Sequence, residues 1–251
     1  MRERFSRQIS SLLLCSLMLS GLSACASQKP TWTFRPAEYP MDLSEHGWWY
    51  ARFHIQWPEN TSPCWHVGVW IAHQVILPIL IEHGDNLALW RFHRRAARDQ
   101  SGHRFSFIFY ACPETADQIF TALRADTILA RMQDAGVVTD VSFDDTTTIT
   151  RPDIEDTSDP NWSPQIQKSW PYFIMGVSQM WLSSIIEIAE GMSHEYDPYS
   201  VQETLGFYRD VDMTVKTLWQ EEGRHSLLHH LSAIFGYVPI RLNRGDILFE
   251  F

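Results

Sequence analysis

The chain has 251 residues, with 20 Lys and Arg against 30 Asp and Glu, a formal charge of −10. Hydrophobic residues make up 45% and aromatic residues 13%, with 11 tryptophans, which excludes a disordered chain, because that much apolar surface offsets the entropy of ordering. The acidic balance argues against nucleic acid as a partner, which needs a basic face to displace counterions, and four cysteines are too few for a disulfide-framework miniprotein.

Residues 1–24 read as an export signal. Arg2, Arg4 and Arg7 precede an apolar run, Ile9–Leu22, too short and too abruptly ended for a spanning helix. The run ends in Leu22-Ser23-Ala24-Cys25, which resembles the bacterial lipobox. The resemblance implies that Cys25 is lipidated, becomes the first mature residue and makes the membrane a partner through its acyl chains. Ala26 follows where an aspartate would alter sorting; this resembles the default outer-membrane signal and implies a body that faces the periplasm. Cleavage leaves 227 residues, and the loss of three arginines and one glutamate takes the charge from −10 to −12. Cys15 leaves with the signal, so Cys64 and Cys112 remain as the thiols of an oxidising compartment.

Residues 25–45 contain three prolines and read as a tether. Trp48–Trp57 then alternates strictly, with Trp49, Ala51, Phe53, Ile55 and Trp57 on one face and Tyr50, Arg52, His54 and Gln56 on the other; this predicts a half-buried strand. Trp65–His83 is helical with a kink or an early end at Pro78, and Gly84-Asp85-Asn86 is a turn. Leu87–Arg94 and Arg104–Ala111 are the second and third strands, joined by a turn at Asp99–Gly102. Pro113 opens a helix that runs to Ala135, capped by Gly136, and Val137–Phe143 is the fourth strand. The order strand, helix, strand, strand, helix, strand predicts a ferredoxin-like α+β domain over residues 46–143, with both helices on one sheet face.

Residues 144–169 are rich in Asp, Thr, Ser and Pro and read as an exposed linker. Residues 170–251 read as a helical part that packs on the sheet domain. Trp170–Ala189, broken by Gln179, Ser183 and Ser184, reads as a buried helix. Ser200 and Glu203 match a capping box and open a helix to about Glu222; Arg224–Phe235 is another, and Arg241–Phe251 returns as a final strand.

With the first and third strands as parallel central neighbours, Cys64 and Cys112 fall at one edge of the sheet. A spacing of ~4.8 Å between strands is compatible with the ~4.4–6.8 Å between α-carbons that a disulfide needs. A Cys64–Cys112 bridge is therefore expected, with two buried free thiols as the alternative.

The uncovered sheet face carries the main candidate site: Arg52, His54 and Gln56 from the first strand, Arg91 and His93 from the second, Arg104, Ser106 and Tyr110 from the third. Such a cluster holds a carboxylate or phosphate through charge-assisted bonds, and its histidines offer acid–base chemistry. Alternatively the C-terminal helices pack there and the groups satisfy one another; a pocket between sheet and helices reconciles the two. Arg94 and Arg95 fit a solvated strand end, and Glu82, His83 and Asp85 a solvated turn. His225 and His229, with Glu221 one turn earlier, share a helix face as a metal site requires, but a polar helix face explains them without a metal. No GxSxG, Walker loop, GxGxxG or CxxC occurs, so no cofactor is implied.

The stretch from Trp48 to about Phe143 resembles the C-terminal glutamate-elimination domain of lantibiotic dehydratases and thiopeptide-type biosynthesis proteins. The resemblance lies in Trp90-Arg91-Phe92-His93-Arg94 and His103-Arg104-Phe105-Ser106, in the helix before Gly136-Val137-Val138, and in C-terminal histidines, here His229 and His230. The sequence departs from that pattern at Ser106, where the family has a second arginine, and at Asn243-Arg244, which follow His229 only at a distance. An export signal also removes the chain from the family's cytoplasmic tRNA-dependent chemistry. What the resemblance implies is a fold, which does not carry function. Two functions fit the sequence: a lipid-anchored binding module for a small anionic ligand or a protein partner, and an enzyme with His54 and His93 as acid and base and Arg52 and Arg91 holding an anionic substrate.

Overall fold

The computed structural model describes residues 45–192, 199–242 and 245–247, all within one compact unit. The export signal, the lipobox with Cys25, and the tether as far as residue 44 lie outside the described residues. The architecture is mixed α+β. Strands β1 (Gly47–Ile55), β2 (Leu89–Ala96), β3 (His103–Ala111) and β4 (Val138–Phe143) form one sheet in the order β2-β3-β1-β4, with every neighbouring pair antiparallel.

The alternation seen in the sequence decides which side chains go where, because successive residues of a strand point to opposite faces. Trp49, Ala51 and Phe53 of β1 sit opposite Phe109, Phe107 and Phe105 of β3, and Trp90 and Phe92 of β2 continue these rows. This face is closed by the two crossovers. The first comprises α1 (Trp65–Trp70), a π-helical turn (Ile71–Ile76) and α2 (Leu77–His83). Gly68 of α1 lies so close to the sheet that an added Cβ would stand 3.1 Å from the Phe105 ring. The second comprises α3 (Pro113–Ala125) and α4 (Thr127–Asp134); Phe120 of α3 packs on Phe109 with ring centroids 5.7 Å apart. Pro78 does not end the first crossover. The widened π turn precedes it, as expected where proline removes a helical N–H donor. The second crossover, read from sequence as one helix, breaks at Asp126, whose extended backbone and side chain, accepting from the Leu129 N–H at 2.6 Å, cap α4.

The Cys64–Cys112 disulfide is not formed: both thiols are free and half-buried. β1 runs antiparallel to β3, so Gly47 pairs with Ala111 and His54 with Arg104. Cys64, beyond the end of β1, and Cys112, just after β3, therefore lie at opposite ends of the sheet. The expectation of a common edge rested on a parallel pairing that the sheet does not have.

The segment expected as an exposed linker is instead a strap on the other sheet face. It is tied down where it leaves β4: Trp48 N donates to Arg151 O at 2.9 Å, Tyr110 Oη to Pro152 O at 2.5 Å, and Trp48 Nε1 to the carbonyls of Asp153 and Ile154 at 3.1 and 3.0 Å. Gly47 is required beneath it, because a Cβ there would meet Ile149 Cγ2 at 2.6 Å. A capping box between Asp153 and Asp156 folds Ile154–Thr157 into a 3-10 turn.

After the strap come α5 (Pro164–Gly191) and α6 (Val201–Gly223), the latter capped by Ser200, whose side chain accepts from Glu203 N at 3.3 Å. A second π-helical turn (Arg224–His229) and α7 (His230–Ile234) follow. α5 runs along the outer edge of β2, where Ser178 Oγ accepts from Phe92 N at 3.0 Å and Trp181 packs on Phe92. It is not the buried helix its apolar sequence predicted. Only Pro171, Ser178, Leu182 and Ile185 are buried, a narrow stripe along one side, while Tyr172 and Phe173 are exposed. By length and composition, α5 and the helical stretch Trp65–Asn86 are both apolar enough to cross a membrane. The expected final strand is a short hairpin of β5 (Ile240–Leu242) with β6 (Gly245–Ile247), separate from the main sheet; residues 248–251 lie outside the described residues.

Candidate functional site

The strap face carries four cross-strand rows from β1, β3 and β2: Trp48–Tyr110–Leu89, Tyr50–Ile108–Arg91, Arg52–Ser106–His93 and His54–Arg104–Arg95. The register thus places Arg52, His54, Arg91, His93 and Arg104 on one surface, as the sequence predicted. Tyr110 is separated from them functionally. It is 3% exposed, lies under the strap and packs with Trp48, Leu89 and Ile108, against which Ile154 and Met175 close. Gln56, beyond the end of β1, is exposed.

The strap also claims Arg52. Asp144 accepts from Arg52 Nη1 at 2.7 Å, from the Tyr50 N–H at 3.1 Å and from Arg151 Nη2. Both guanidinium carbons stand 4.4 Å from the Tyr50 ring centroid, so the tyrosine carries two cations. Arg95 is spent in an exposed pair with Asp99, which holds the Asp99 carboxyl down at about 2.

Arg91 and Arg104 have no carboxylate partner among the described residues. Arg91 is 7% exposed; its Nη2 donates to the Thr157 carbonyl at 3.4 Å, the Tyr50 hydroxyl is a further hydrogen-bond partner, its guanidinium carbon lies 4.8 Å from the Trp170 ring centroid, and its Nε has no hydrogen-bond partner. Burial pushes its pKa down, partly offset by Tyr50. Arg104 Nε is likewise buried without a partner, and burial together with Arg52 and Arg95 depresses its pKa. Between them His93, an exposed residue, faces the buried Ser106. Partial desolvation of its ring first, then the charges of Arg91, Arg104 and Arg95, lowers the His93 pKa from the ordinary imidazole value.

Arg94 is not at a solvated strand end. Its Nη2 donates to Trp65 O at 2.6 Å and approaches Asp212 at 3.4 Å, and its plane lies over the rings of Trp65 and Trp181. Lys216 Nζ donates to the same Asp212 at 2.5 Å. This group fastens β2 to α1 and α6. Arg95 does stand at the strand end, in its pair with Asp99. His83 lies 3.9 Å from Glu82. His225 and His229 stack at 5.3 Å with His230 beside them, and no group of three metal-ligating side chains occurs among the described residues.

Beside the strap face, a cleft of about 970 Å³ lies between α5, α6 and β2. Ile174, Val177 and Trp181 line it from α5, Val215 and Trp219 from α6, and Arg91 and His93 from β2. The cleft lies between sheet and helices, where the sequence allows a pocket that reconciles a ligand face with helix packing; the strap had no signal in the sequence. Tyr50 could be found by alternation, but Asp144 and Arg151 sit in a segment whose composition reads only as loop. No family model matches the chain, and no curated protein or solved structure matches it.

Proposed function

We propose that the mature chain is a lipid-anchored envelope protein whose body binds an anionic group on the open half of the strap face, without chemistry of its own. The observation that carries the binding half is the pair of guanidinium groups, Arg91 and Arg104, left without a carboxylate among the described residues, around His93 and Ser106. In a chain of net charge −10, a buried Arg91 and a half-buried Arg104 without carboxylates cost free energy unless an anion completes them. The lipobox at Cys25 supports the anchor and the periplasmic side of the outer membrane. The sheet order β2-β3-β1-β4, with both crossovers on one face, supports reading the fold as ferredoxin-like.

Inorganic phosphate titrated into the full chain by calorimetry tests the binding. Arg104→Ala is expected to weaken it by about tenfold or more, while Lys168→Ala, at an exposed ion pair with Glu155, leaves it unchanged. Equal affinities in the two variants refute the assignment. Labelled palmitate fed to cells is expected to appear on Cys25 and to vanish in Cys25→Ser; an unlabelled wild-type chain refutes the anchor. An enzyme reading remains in His93 facing Ser106 across β2 and β3. It is separated by His54→Ala/His93→Ala, which abolishes turnover outright if the histidines are acid and base, whereas in a binding module phosphate binding through Arg91 and Arg104 persists, weakened at most.

A further inference from the structure

We propose that the anion at Arg91 and Arg104 is the head of an amphipathic ligand whose single acyl chain lies in the cleft between α5, α6 and β2. This rests on the anion-binding reading above and specifies the ligand class. The cleft of about 970 Å³ is at the upper end of the ~300–1,000 Å³ usual for small-molecule sites. Two helices supply an apolar wall, and the third wall is β2, whose Arg91 and His93 also belong to the open strap face. Cleft and anion site thus meet at Arg91 and His93 on the edge strand β2, and a molecule that fills both needs a charged end and a hydrocarbon end.

The charges inside the cleft select the sign of that end. Asp212 is matched by Lys216 and Arg94. Asp159 turns into its own loop, accepting from Asn161 N at 2.9 Å, and Glu222 is exposed. Arg91 is the buried cation left over, with an Nε that donates to nothing. A carboxylate or phosphate monoester beside it supplies the missing acceptor, and the chain attached to that head continues along Trp170 and Trp181. A neutral hydrocarbon leaves Arg91 unmatched, and a small polar anion leaves the tryptophan wall wet.

The test uses the full chain in phosphatidylcholine vesicles and photoactivatable palmitate, with crosslinks mapped by mass spectrometry. Saturable labelling is expected in the peptides that carry Trp181 and Trp219. It is expected to fall by about tenfold or more in Arg91→Ala, and by as much when the probe is the neutral palmityl alcohol. Ser184→Trp and Val215→Trp, which fill the cleft from α5 and from α6, are each expected to abolish labelling while phosphate affinity holds. A photoactivatable lysophosphatidate tells the source: tighter labelling than palmitate assigns the head as a phosphate, weaker labelling as a carboxylate. Labelling scattered over exposed Tyr172 and Phe173, equal labelling by the alcohol, or indifference to both tryptophan variants overturns the proposal. If phosphate binds with its Arg104 dependence while palmitate does not label, the acyl ligand falls and the anion site stands; if neither binds, both fall.

Discussion

The two faces of the sheet come from the same alternating strands and are finished in opposite ways. On one face Phe53, Phe107 and Phe109 are fully buried under the crossover helices. On the other, a strap covers the end that carries Trp48 and Tyr110 and stops short of the rows with Ser106 and Arg104. Burial closes the first face because its residues offer water nothing. The second stays half open because its arginines and histidines resist desolvation unless each meets a partner. The strap supplies one carboxylate in Asp144 and only a carbonyl, that of Thr157, to Arg91, so Arg91 and Arg104 are left to a ligand for their anion.

The largest test of this contrast is truncation in pairs. Phe107→Ala on the closed face is expected to cost about 3–5 kcal/mol, the usual penalty for removing a buried phenylalanine, whereas Ser106→Ala on the open face is expected to cost under about 1 kcal/mol; urea melts compare them. Asp144→Ala comes next. It unties the strap from Arg52 and Arg151 and is expected to cost about 1–3 kcal/mol, yet phosphate affinity should rise, because the open face gains freed guanidinium groups. Loss of both stability and affinity would mean that the strap shapes the site rather than limiting it.

Acid provides a gentler probe. His103 sits between Trp57 and Trp65, and burial, aided by Arg94 and His66, takes its pKa from 6.5 to about 4. His66, His73 and His93 are lowered as well. Between pH 6.5 and 4 the unfolded chain then binds more protons than the folded one, so stability falls as pH falls through that window. Thermal melts should show Tm dropping by several degrees, less in His103→Gln; a flat profile would place water at the ring. The smallest effect concerns the thiols. Cys64 and Cys112 should both alkylate after unfolding without reductant, and Cys64→Ser/Cys112→Ser should change stability little, for want of a bridge to lose.

The parts legible in the sequence are those that period and composition encode. Alternation around Trp49 and Phe107 separated the two faces and gathered Arg52, His54, Arg91, His93 and Arg104 on one of them. Strand direction is not encoded that way, and hence the cysteines were misplaced. Asp144 and Arg151 are ordinary loop residues until the chain returns over Gly47, and Arg94 became structural only because Asp212 approaches from a helix 118 residues away. The apolar run of α5 signalled a helix but not which side would be left bare.

The most direct measurement is the pKa of His93, followed by NMR with and without inorganic phosphate. Desolvation of the ring first, and then the charges of Arg91, Arg104 and Arg95, hold that pKa below its ordinary value; an anion seated among the arginines should offset their part and raise it, with phosphate binding tightening as pH falls. A His93 pKa that does not move in saturating phosphate would contradict the anion site.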